Sequence, residues 1–253
     1  MACNFNESHD KPLRIESAWG DFYAVSGMTW AWTQLQVKVA NLAFHKQVVL
    51  HYRASELVWL DRELEFVSHH DVYDVFGSGG AYPYCSEFVI RYTVNGEDHW
   101  DNNYGMNYHI GSFRGLVGGN VALRSAIAKQ GIESGGGMTV TTSWFEGEVY
   151  VQNLSYHKNV GVRFSTDGGN NWEDASAEYE GPATSVASST EIECVECWTF
   201  KTPTYNLDHS ANQFLFAVFY EIRDSGPDHG IRFWDNNFTQ NYHLDKTNGA
   251  LIN

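Results

Sequence analysis

The sequence repeats itself, and this duplication constrains the fold more than any other feature. Residues 100–110 read WDNNYGMNYHI and residues 234–244 read WDNNFTQNYHL. A second matching pair lies upstream, QVKVANLAFHKQVVLHY at 36–52 and EVYVQNLSYHKNVGVRF at 148–164. Several similar segments in the same order are typical of duplicated structural units. We therefore predict that the chain contains two copies of one unit.

The matching segments also set the expected domain boundaries. Trp59 in ELVWLDRELEF and Trp172 in NNWEDASAEY form a third pair at nearly the same offset. We expect one domain over about 11–113 and a second over about 138–246. Residues 114–137 between them are rich in glycine, and their middle has a helix-forming composition. This segment is predicted to be a linker with a short helix.

Each copy has the pattern of an all-β domain. The segments LQVKVANL and GEVYVQNL alternate apolar and polar residues with a period of two. QVVLHY, VGVRFS, EFVIRYTV and FLFAVFYEI are short β-branched and aromatic runs, and Asn95-Gly96 is a strong hairpin signal. About eight short strands in roughly 100 residues are typical of an immunoglobulin-sized sandwich. The predicted fold is all-β, with two immunoglobulin-like antiparallel β-sandwich modules in tandem.

Charge and hydropathy limit the possible partners. The formal net charge is −15, and so acidic a surface repels nucleic acid and anionic membranes. The longest strongly apolar run, Phe214–Tyr220, is far shorter than the roughly 20 residues that span a bilayer. No signal peptide is visible at the N-terminus. We expect a cytoplasmic protein, with secretion left open if a leader has been trimmed.

Neither a metal, a cofactor nor an enzyme centre is expected. Cys194 and Cys197 form a C-x-x-C pair without a second pair at zinc spacing, and they fall in a segment that alternates like a strand. The recurring Asp101 and Asp235 stand beside asparagines, where they are typical of turns. The sequence lacks the common hydrolase, P-loop and metalloprotease signatures. We therefore predict a non-catalytic protein without cofactor or metal.

The repeated motif has two possible explanations. Asp and Asn favour a turn after a strand, and the preceding Trp then fills the core. Alternatively, a flat ring beside carboxamides suits sugar recognition, because the apolar face of a pyranose stacks on the ring while amides bind the hydroxyls. Phe44-His45-Lys46 and Tyr156-His157-Lys158 leave a similar choice between a second stacking surface and a hairpin tip folded back on the sheet.

The motif W-D-N-N-x-x-x-N-Y resembles the signature of carbohydrate-binding module family 21, the starch- and glycogen-binding modules of fungal glucoamylases and of glycogen-targeting phosphatase subunits. The flanking pattern agrees: an N-L-x-(aromatic)-x-K loop, a strand, a loop Trp and a further strand before the motif. The resemblance covers both copies. It implies a sandwich that binds α-glucans on aromatic platforms.

The resemblance also implies two kinds of site in each copy. The first pairs Trp59 with Trp100, and Trp172 with Trp234. The second combines the aromatic and lysine of the earlier loop with the late asparagine of the motif. A further strand aromatic of some family members falls on Val89 and Ala217 instead. The candidate carbohydrate-binding residues are Trp59, Trp100, Asn102, Asn103, Tyr104, Asn107, Phe44 and Lys46, with Trp172, Trp234, Asn236, Asn237, Phe238, Asn241, Tyr156 and Lys158 in the second copy.

We expect a non-catalytic protein whose two modules bind polysaccharide, with an α-glucan such as starch or glycogen as the best assignment. Two linked weak sites hold a repetitive polymer by avidity. The alternatives are a lectin for another glycan, such as a fungal-type defence lectin, and a scaffold that brings an enzyme to glycogen. A protein partner is possible but lacks a docking motif, because the nearest segments, 162–164 and 231–233, follow glycine within predicted strands.

Overall fold

The chain folds into β-strands and connecting loops wherever its structure is described. A computed structural model of the protein describes residues 11–26, 28–77, 84–111, 115–184, 191–207 and 212–252. These ranges contain no α-helix, only short 3₁₀ turns at Asn103–Gly105 and Gly118–Asn120. They therefore hold no helix that is long and apolar enough to cross a membrane. The predicted all-β antiparallel fold is confirmed.

The described residues divide into two compact units. The first unit holds the described residues up to Gly119 together with those of Pro182–Val195. The second holds Asn120–Gly181 and the described residues from Glu196 onward. Each of the two candidate sites falls within one unit.

The first unit has two antiparallel sheets. One has the strand order β10-β1-β2-β6-β5, and the other has the order β4-β3-β7-β8, with β9 also paired to β7. The bounds are β1 Leu13–Val25, β2 Met28–Ala40, β3 Lys46–Ser55, β4 Val58–Glu63, β5 Glu65–His70, β6 Tyr73–Gly77, β7 Glu87–Val94, β8 Glu97–Asp101, β9 Tyr108–His109 and β10 Gly115–Val117.

The remaining strands follow one hydrogen-bonded path, β18-β17-β13-β14-β15-β12-β11-β20, with β16 paired to β12 and β19 to β17. The bounds are β11 Val121–Gly135, β12 Met138–Gln152, β13 Lys158–Ser165, β14 Glu173–Thr184, β15 Glu191–Lys201, β16 Tyr205–Asn206, β17 Gln213–Ile222, β18 Arg232–Asp235, β19 Tyr242–Asp245 and β20 Ala250–Ile252.

Each unit has an aromatic and aliphatic core of its own. The core of the first unit takes residues from both sheets, including Ile15 and Val37 on one side and Leu50, Phe88 and Tyr92 on the other. These core residues alternate along β3 and β7 with the outward-facing residues, as a strand with one buried face requires. The alternation leaves the outer face of the β4-β3-β7-β8 sheet for other uses.

The core of the second unit is built around one phenylalanine. The fully buried Phe145 meets the rings of Phe164, Phe200, Phe214 and Phe216, with centroids 4.8–5.7 Å apart. Offset and edge-to-face rings at these distances add stabilisation beyond the area that they bury. This cluster supports β13 and β17 from behind, and those two strands carry the second candidate site.

The predicted hairpin at Asn95-Gly96 is present. It joins β7 to β8, with Val94 opposite Glu97. Asn95 and Gly96 have φ values of 54° and 81°, as a two-residue hairpin turn with both central residues left-handed requires. The turn fixes the register of β8 and therefore the position of Trp100.

The predicted linker with a helix at 114–137 is wrong. Gly115–Val117 forms β10, and the segment expected to be helical lies within β11, which pairs with β12 along its whole length. Burial of one strand face and continuous pairing outweigh the helix-forming composition. The second copy therefore begins near Val121 rather than at 138, and it extends past 246 to β20.

Gly118, in the segment expected to be a linker, lies in a tight turn before β11. A Cβ on Gly118 would lie only 1.7 Å from the carbonyl oxygen of Ile15, so only glycine fits there. The sequence does contain a signal for the strand, because Ser125-Ala126 repeats Ser17-Ala18. Each Ser-Ala pair comes directly after a shift in strand register. The shift lies between Ile15 and Ser17 on β1 and between Leu123 and Ser125 on β11.

Candidate functional site

The first unit presents an aromatic surface on the outer face of its β4-β3-β7-β8 sheet. Trp59 on β4 lies opposite Arg53, and Trp100 on β8 lies opposite Arg91. His51 on β3 lies between them. Strand neighbours two residues apart share a face, so the register alone places these side chains together.

The two indoles and the imidazole are in ring contact. The His51 ring stacks on Trp59 with centroids 4.9 Å apart and planes 13° apart. The same imidazole meets Trp100 at 5.9 Å with planes 86° apart. Trp100 is 39% exposed and Trp59 is half-buried. The three rings, which we call the first platform, form a surface that is open to solvent.

A charged pair lies beside the first platform. The Asp61 carboxylate contacts Nδ1 of His51 at 2.6 Å and the Arg91 guanidinium at 3.2 Å. The guanidinium lies 5.5 Å from the centre of the Trp100 ring, within the range of a cation–π contact. These contacts hold the imidazole and the indole in place.

The second unit has a corresponding arrangement with a different residue at its centre. Trp172 is 40% exposed and Trp234 is half-buried. Between them Arg163 replaces the histidine, and its guanidinium lies 5.4 Å from the Trp234 ring. Arg163 binds both oxygens of Asp174, at 2.7 and 2.8 Å, and this pairing lowers the pKa of Asp174. We call Trp172, Arg163 and Trp234 the second platform.

Phe219 stands in the second unit where the first has Arg91. It lies opposite Trp234 on β18 and Gly161 on β13. A Cβ on Gly161 would lie 2.8 Å from the Phe219 ring, so the glycine makes room for the aromatic side chain. Phe219 is 2% exposed, and its ring supports the indole rather than facing solvent.

The loop before Trp172 is held by one carboxylate. Asp167 accepts hydrogen bonds from the backbone N–H and the side-chain amide of Asn171, at 2.9 and 2.6 Å. These bonds, with one from Ser165, lower the pKa of Asp167 to about 2. The indole N–H of Trp172 donates to the Gly169 carbonyl at 3.0 Å. The ring edge is therefore fixed while 40% of the residue remains exposed.

The aspartate of the repeated motif is a buried anchor. Asp101 accepts a hydrogen bond of 2.8 Å from the Tyr108 hydroxyl, and burial raises the pKa of its carboxyl. Asp235 accepts one of 2.7 Å from the Tyr242 hydroxyl and one of 2.8 Å from the backbone of Leu123. The two carboxyls fasten the motif loop within its unit. The expectation that these aspartates shape a turn agrees with this geometry.

Two of the candidate sugar ligands are structural instead. Asn103 and Asn237 are 7% and 2% exposed. Each side-chain amide donates across its own loop, to the Asn107 carbonyl at 3.0 Å and to the Asn241 carbonyl at 2.9 Å. Left-handed backbone at each asparagine turns the side chain into its own loop, away from the solvent-facing surface.

The first motif asparagine remains partly available. Oδ1 of Asn102 accepts from the Gly105 backbone and Oδ1 of Asn236 accepts from the Thr239 backbone, both at 3.1 Å. In the described part of the chain the two Nδ2 groups make no hydrogen bond, so each can donate to a ligand hydroxyl. Tyr104 is 54% exposed and Phe238 is half-buried, and both have left-handed φ values.

The late asparagine differs between the units. The side-chain amide of Asn107 donates to Glu87 at 2.8 Å. This bond and the ion pair with Arg53 lower the pKa of Glu87. In the second unit the residue facing this position is Leu215, and the Asn241 side chain makes no hydrogen bond to any described residue. The Asn107 amide is therefore held by Glu87, whereas the Asn241 amide is available to a ligand.

The loop lysines do not face solvent. Lys46 bonds to Asn41 at 2.6 Å and pairs with Asp74, and its side chain is 6% exposed. Lys158 bonds to Asn153 and Glu196, both at 2.8 Å, and is 3% exposed. Each ammonium is held by an asparagine and a carboxylate next to its own loop, which leaves little of it exposed to a ligand.

The aromatics of the same loops are exposed. Phe44 is 90% exposed and Tyr156 is 89% exposed, and each meets only the edge of the following histidine among the ring contacts described. The alternative of a ring folded back on the sheet is excluded by these exposures. Phe44 also lines an open groove of about 610 Å³ with Gln47, Thr93 and the Asn95-Gly96 turn.

The second kind of site is not assembled as expected. Lys46 lies opposite Val94, whereas the end of β7 beside Tyr108 lies opposite Tyr52. Lys46 and Tyr52 are six residues apart on β3, which corresponds to a distance of roughly 20 Å along the strand. Phe44 and Asn107 therefore do not share a site. The corresponding residues of the second unit, Tyr156 and Asn241, are separated in the same way.

Sequence reasoning missed the centre of each platform. His51 and Arg163 occupy equivalent places, with Val89 and Ala217 as their neighbours on the adjoining strand. The signal was present in the aligned segments QVVLHY and NVGVRF, where H and R correspond. Neither a histidine nor an arginine within an apolar run stood out as a partner of tryptophan.

Two carboxylates at the start of β14 are held by neighbouring side chains. Glu173 accepts from the Tyr205 hydroxyl at 2.9 Å, and Asp174 is bound to Arg163. No cluster of three or more histidine, cysteine or carboxylate side chains occurs among the residues in the described ranges. Burial raises the pKa of the Cys85 and Cys197 thiols to about 11.

Comparison with known proteins agrees with the motif. Residues 134–245 match the model of the carbohydrate/starch-binding module, family 21, which confirms the resemblance for this part of the chain. The Drosophila melanogaster glycogen-binding subunit 76A is 32% identical over 110 residues, 39% of this chain and 16% of that protein. The Danio rerio protein phosphatase 1 regulatory subunit 3B is 35% identical over 115 residues, 40% of this chain and 34% of that protein.

The chain thus matches about a sixth and a third of the length of these relatives. Among solved structures, it matches the starch-binding domain of Rhizopus oryzae glucoamylase in complex with β-cyclodextrin and maltoheptaose. The identity is 24% and the TM-score 0.28, over 47% of this chain and 92% of that one.

Proposed function

We propose that this chain is a non-catalytic α-glucan-binding protein whose two units are modules that each bind starch or glycogen on one platform. The observation that carries the proposal is the solvent-open contact of Trp59, His51 and Trp100, with a corresponding contact of Arg163 with Trp234 in the second unit. The match of residues 134–245 to a carbohydrate-binding family supports it.

The chemistry of the platforms suits a pyranose chain. The apolar face of a sugar ring stacks on an exposed indole, and the second indole accommodates a later residue of a curved glucan. The Nδ2 groups of Asn102 and Asn236 lie at the edge of the platforms as donors to hydroxyls. Charged side chains beside the rings are paired, so the ligand does not have to be charged.

Retention on an insoluble glucan tests the proposal. We expect the chain to sediment with granular starch and to be retarded in gels that contain glycogen, with much weaker binding to short maltooligosaccharides because two linked shallow sites gain affinity on a polymer. Cellulose and a glycan array serve as controls. Preference for another glycan on the array would establish a lectin of different specificity and contradict the α-glucan assignment.

A second candidate function is enzyme targeting to glycogen. The names of the relatives, a glycogen-binding subunit and a protein phosphatase 1 regulatory subunit, favour it. The two docking-like segments do not, because Phe164 is buried in β13 and Arg232 on β18 is paired with Glu221. Co-purification of a phosphatase on glycogen would support this role, and its absence would leave glucan binding alone.

A further inference from the structure

We propose that the central residue of each platform contacts the sugar and gives the two modules different pH responses: His51 makes glucan binding by the first module proton-dependent, whereas Arg163 makes that of the second independent of pH. This inference rests on the proposed function. It concerns the two side chains that the sequence comparison did not single out.

The two residues occupy one structural position. His51 lies opposite Asp61, and Arg163 lies opposite Asp174. Both residues use the opposing carboxylate in the same way, with 2.6 Å from Nδ1 of His51 and 2.7 Å from Nε of Arg163 to an Asp Oδ1. Because the carboxylate is common to both modules, the difference between the sites comes from the central side chain.

The small residue opposite each central side chain, on β7 or β17, does not cover it. Val89 and Ala217 lie beside His51 and Arg163, and both are 5% exposed. In the first module the imidazole, stacked on Trp59, supplies flat surface beside Val89. A glucan that spans Trp59 and Trp100 has to cross it.

His51 can bind a hydroxyl with its second nitrogen. Its side chain is 31% exposed, and Nδ1 is occupied by Asp61. Nε2 makes no hydrogen bond within the described ranges of the chain. A neutral imidazole with Nδ1 donating offers Nε2 as an acceptor, whereas the protonated ring offers it as a charged donor.

Arg163 has no such choice. A guanidinium stays charged throughout the pH range of proteins. Arg163 uses Nε and one terminal nitrogen on Asp174, and its side chain remains 42% exposed beside Trp234. Its remaining donors are therefore the same at every pH at which the protein is folded.

The groups that face His51 keep the effect specific to the imidazole. They are Asp61 and, one level along, Glu63 on β4, Arg91 on β7 and, on the other side, Arg53 paired with Glu87, which lies opposite His109 on β9. Imidazole is the class of side chain whose charge changes between pH 5 and 8. His243 holds the place of His109 in the second module, so a pH dependence carried by that histidine would be common to both modules and would survive His51→Arg. A charge-assisted hydrogen bond from protonated Nε2 is stronger than a neutral one.

The test disables one platform at a time in the full chain. The remaining platform is then titrated with β-cyclodextrin, a cyclic α-glucan, at pH 5 and pH 8. The Trp234→Ala chain, which retains the first platform, is expected to bind about fivefold more tightly at pH 5, the difference between a charged and a neutral hydrogen bond. Adding His51→Arg should remove the pH dependence. The Trp100→Ala chain should bind equally at both pH values, and adding Arg163→His should make it pH-dependent.

Equal affinity of the Trp234→Ala chain at the two pH values overturns the inference, as does a pH dependence that survives His51→Arg. In either case binding itself persists, so the proposed function stands. If the unaltered chain binds neither β-cyclodextrin nor glycogen at any pH, the proposed function fails and the inference fails with it. Circular dichroism of each variant at both pH values verifies that the β-structure is retained.

Discussion

We expect that replacing Trp100 and Trp234 together with alanine abolishes retention on glycogen, whereas either single replacement weakens it. An aromatic anchor at the centre of a binding surface contributes roughly 1–3 kcal/mol. Losing one module also removes the gain from linkage, which is about 10²–10⁴ in affinity when both modules reach the same polymer. Retardation in glycogen-containing gels measures all three variants against the unaltered chain.

The control separates binding from folding. Tyr179→Ala removes an aromatic that is 53% exposed and belongs to neither platform, and it should leave glycogen binding unchanged. The double change Trp100→Phe with Trp234→Phe keeps a flat ring at each place and should retain part of the binding. Unchanged retention of a folded double alanine variant would contradict the role assigned to the two indoles.

Asp235→Ala is expected to destabilise the second unit by roughly 3–5 kcal/mol, because it leaves buried donors without an acceptor. The fully buried carboxylate accepts from the hydroxyl of Tyr242 and from the backbone of Leu123 and Asn237. Scanning calorimetry should show one part of the chain unfolding at a lower temperature. Glycogen binding that depends on Trp234 should be lost with it.

Asp101→Asn provides the matched comparison in the first unit. Burial raises the pKa of Asp101, so the charge itself is unfavourable there, and an amide oxygen can still accept from the Tyr108 hydroxyl. We expect a clearly smaller loss of stability than for Asp235→Ala. An Asp235→Ala chain that unfolds like the unaltered protein would show that this anchor does not hold the motif loop.

The duplication and the strand periodicity carried most of the fold prediction. The first six residues of the alternating LQVKVANL segment lie in β2, and the predicted hairpin turn is present at Asn95-Gly96. The failure at β11 has a physical cause. Its alanine-rich composition favours a helix only locally, and pairing with β12 along its length outweighs that preference.

The sequence predicted the aromatic residues of the site better than its polar residues. The motif and the resemblance pointed to the platform tryptophans, whereas they left open whether Phe44 and Tyr156 are exposed or folded back on the sheet. Asn103 and Lys46 carry the same groups as real ligands, but left-handed backbone and a buried carboxylate partner turn them inward. Such pairings depend on chain segments far apart in sequence, which one-dimensional patterns do not report.

The most direct test of the central claim follows the indole N–H signals of all nine tryptophans by NMR during titration with β-cyclodextrin. The account predicts that the largest shifts occur at Trp59, Trp100, Trp172 and Trp234. Trp19, Trp144 and Trp198, which lie outside the platforms, should move little. Saturable binding that leaves the four platform signals unchanged, or that shifts the other three instead, would contradict the account.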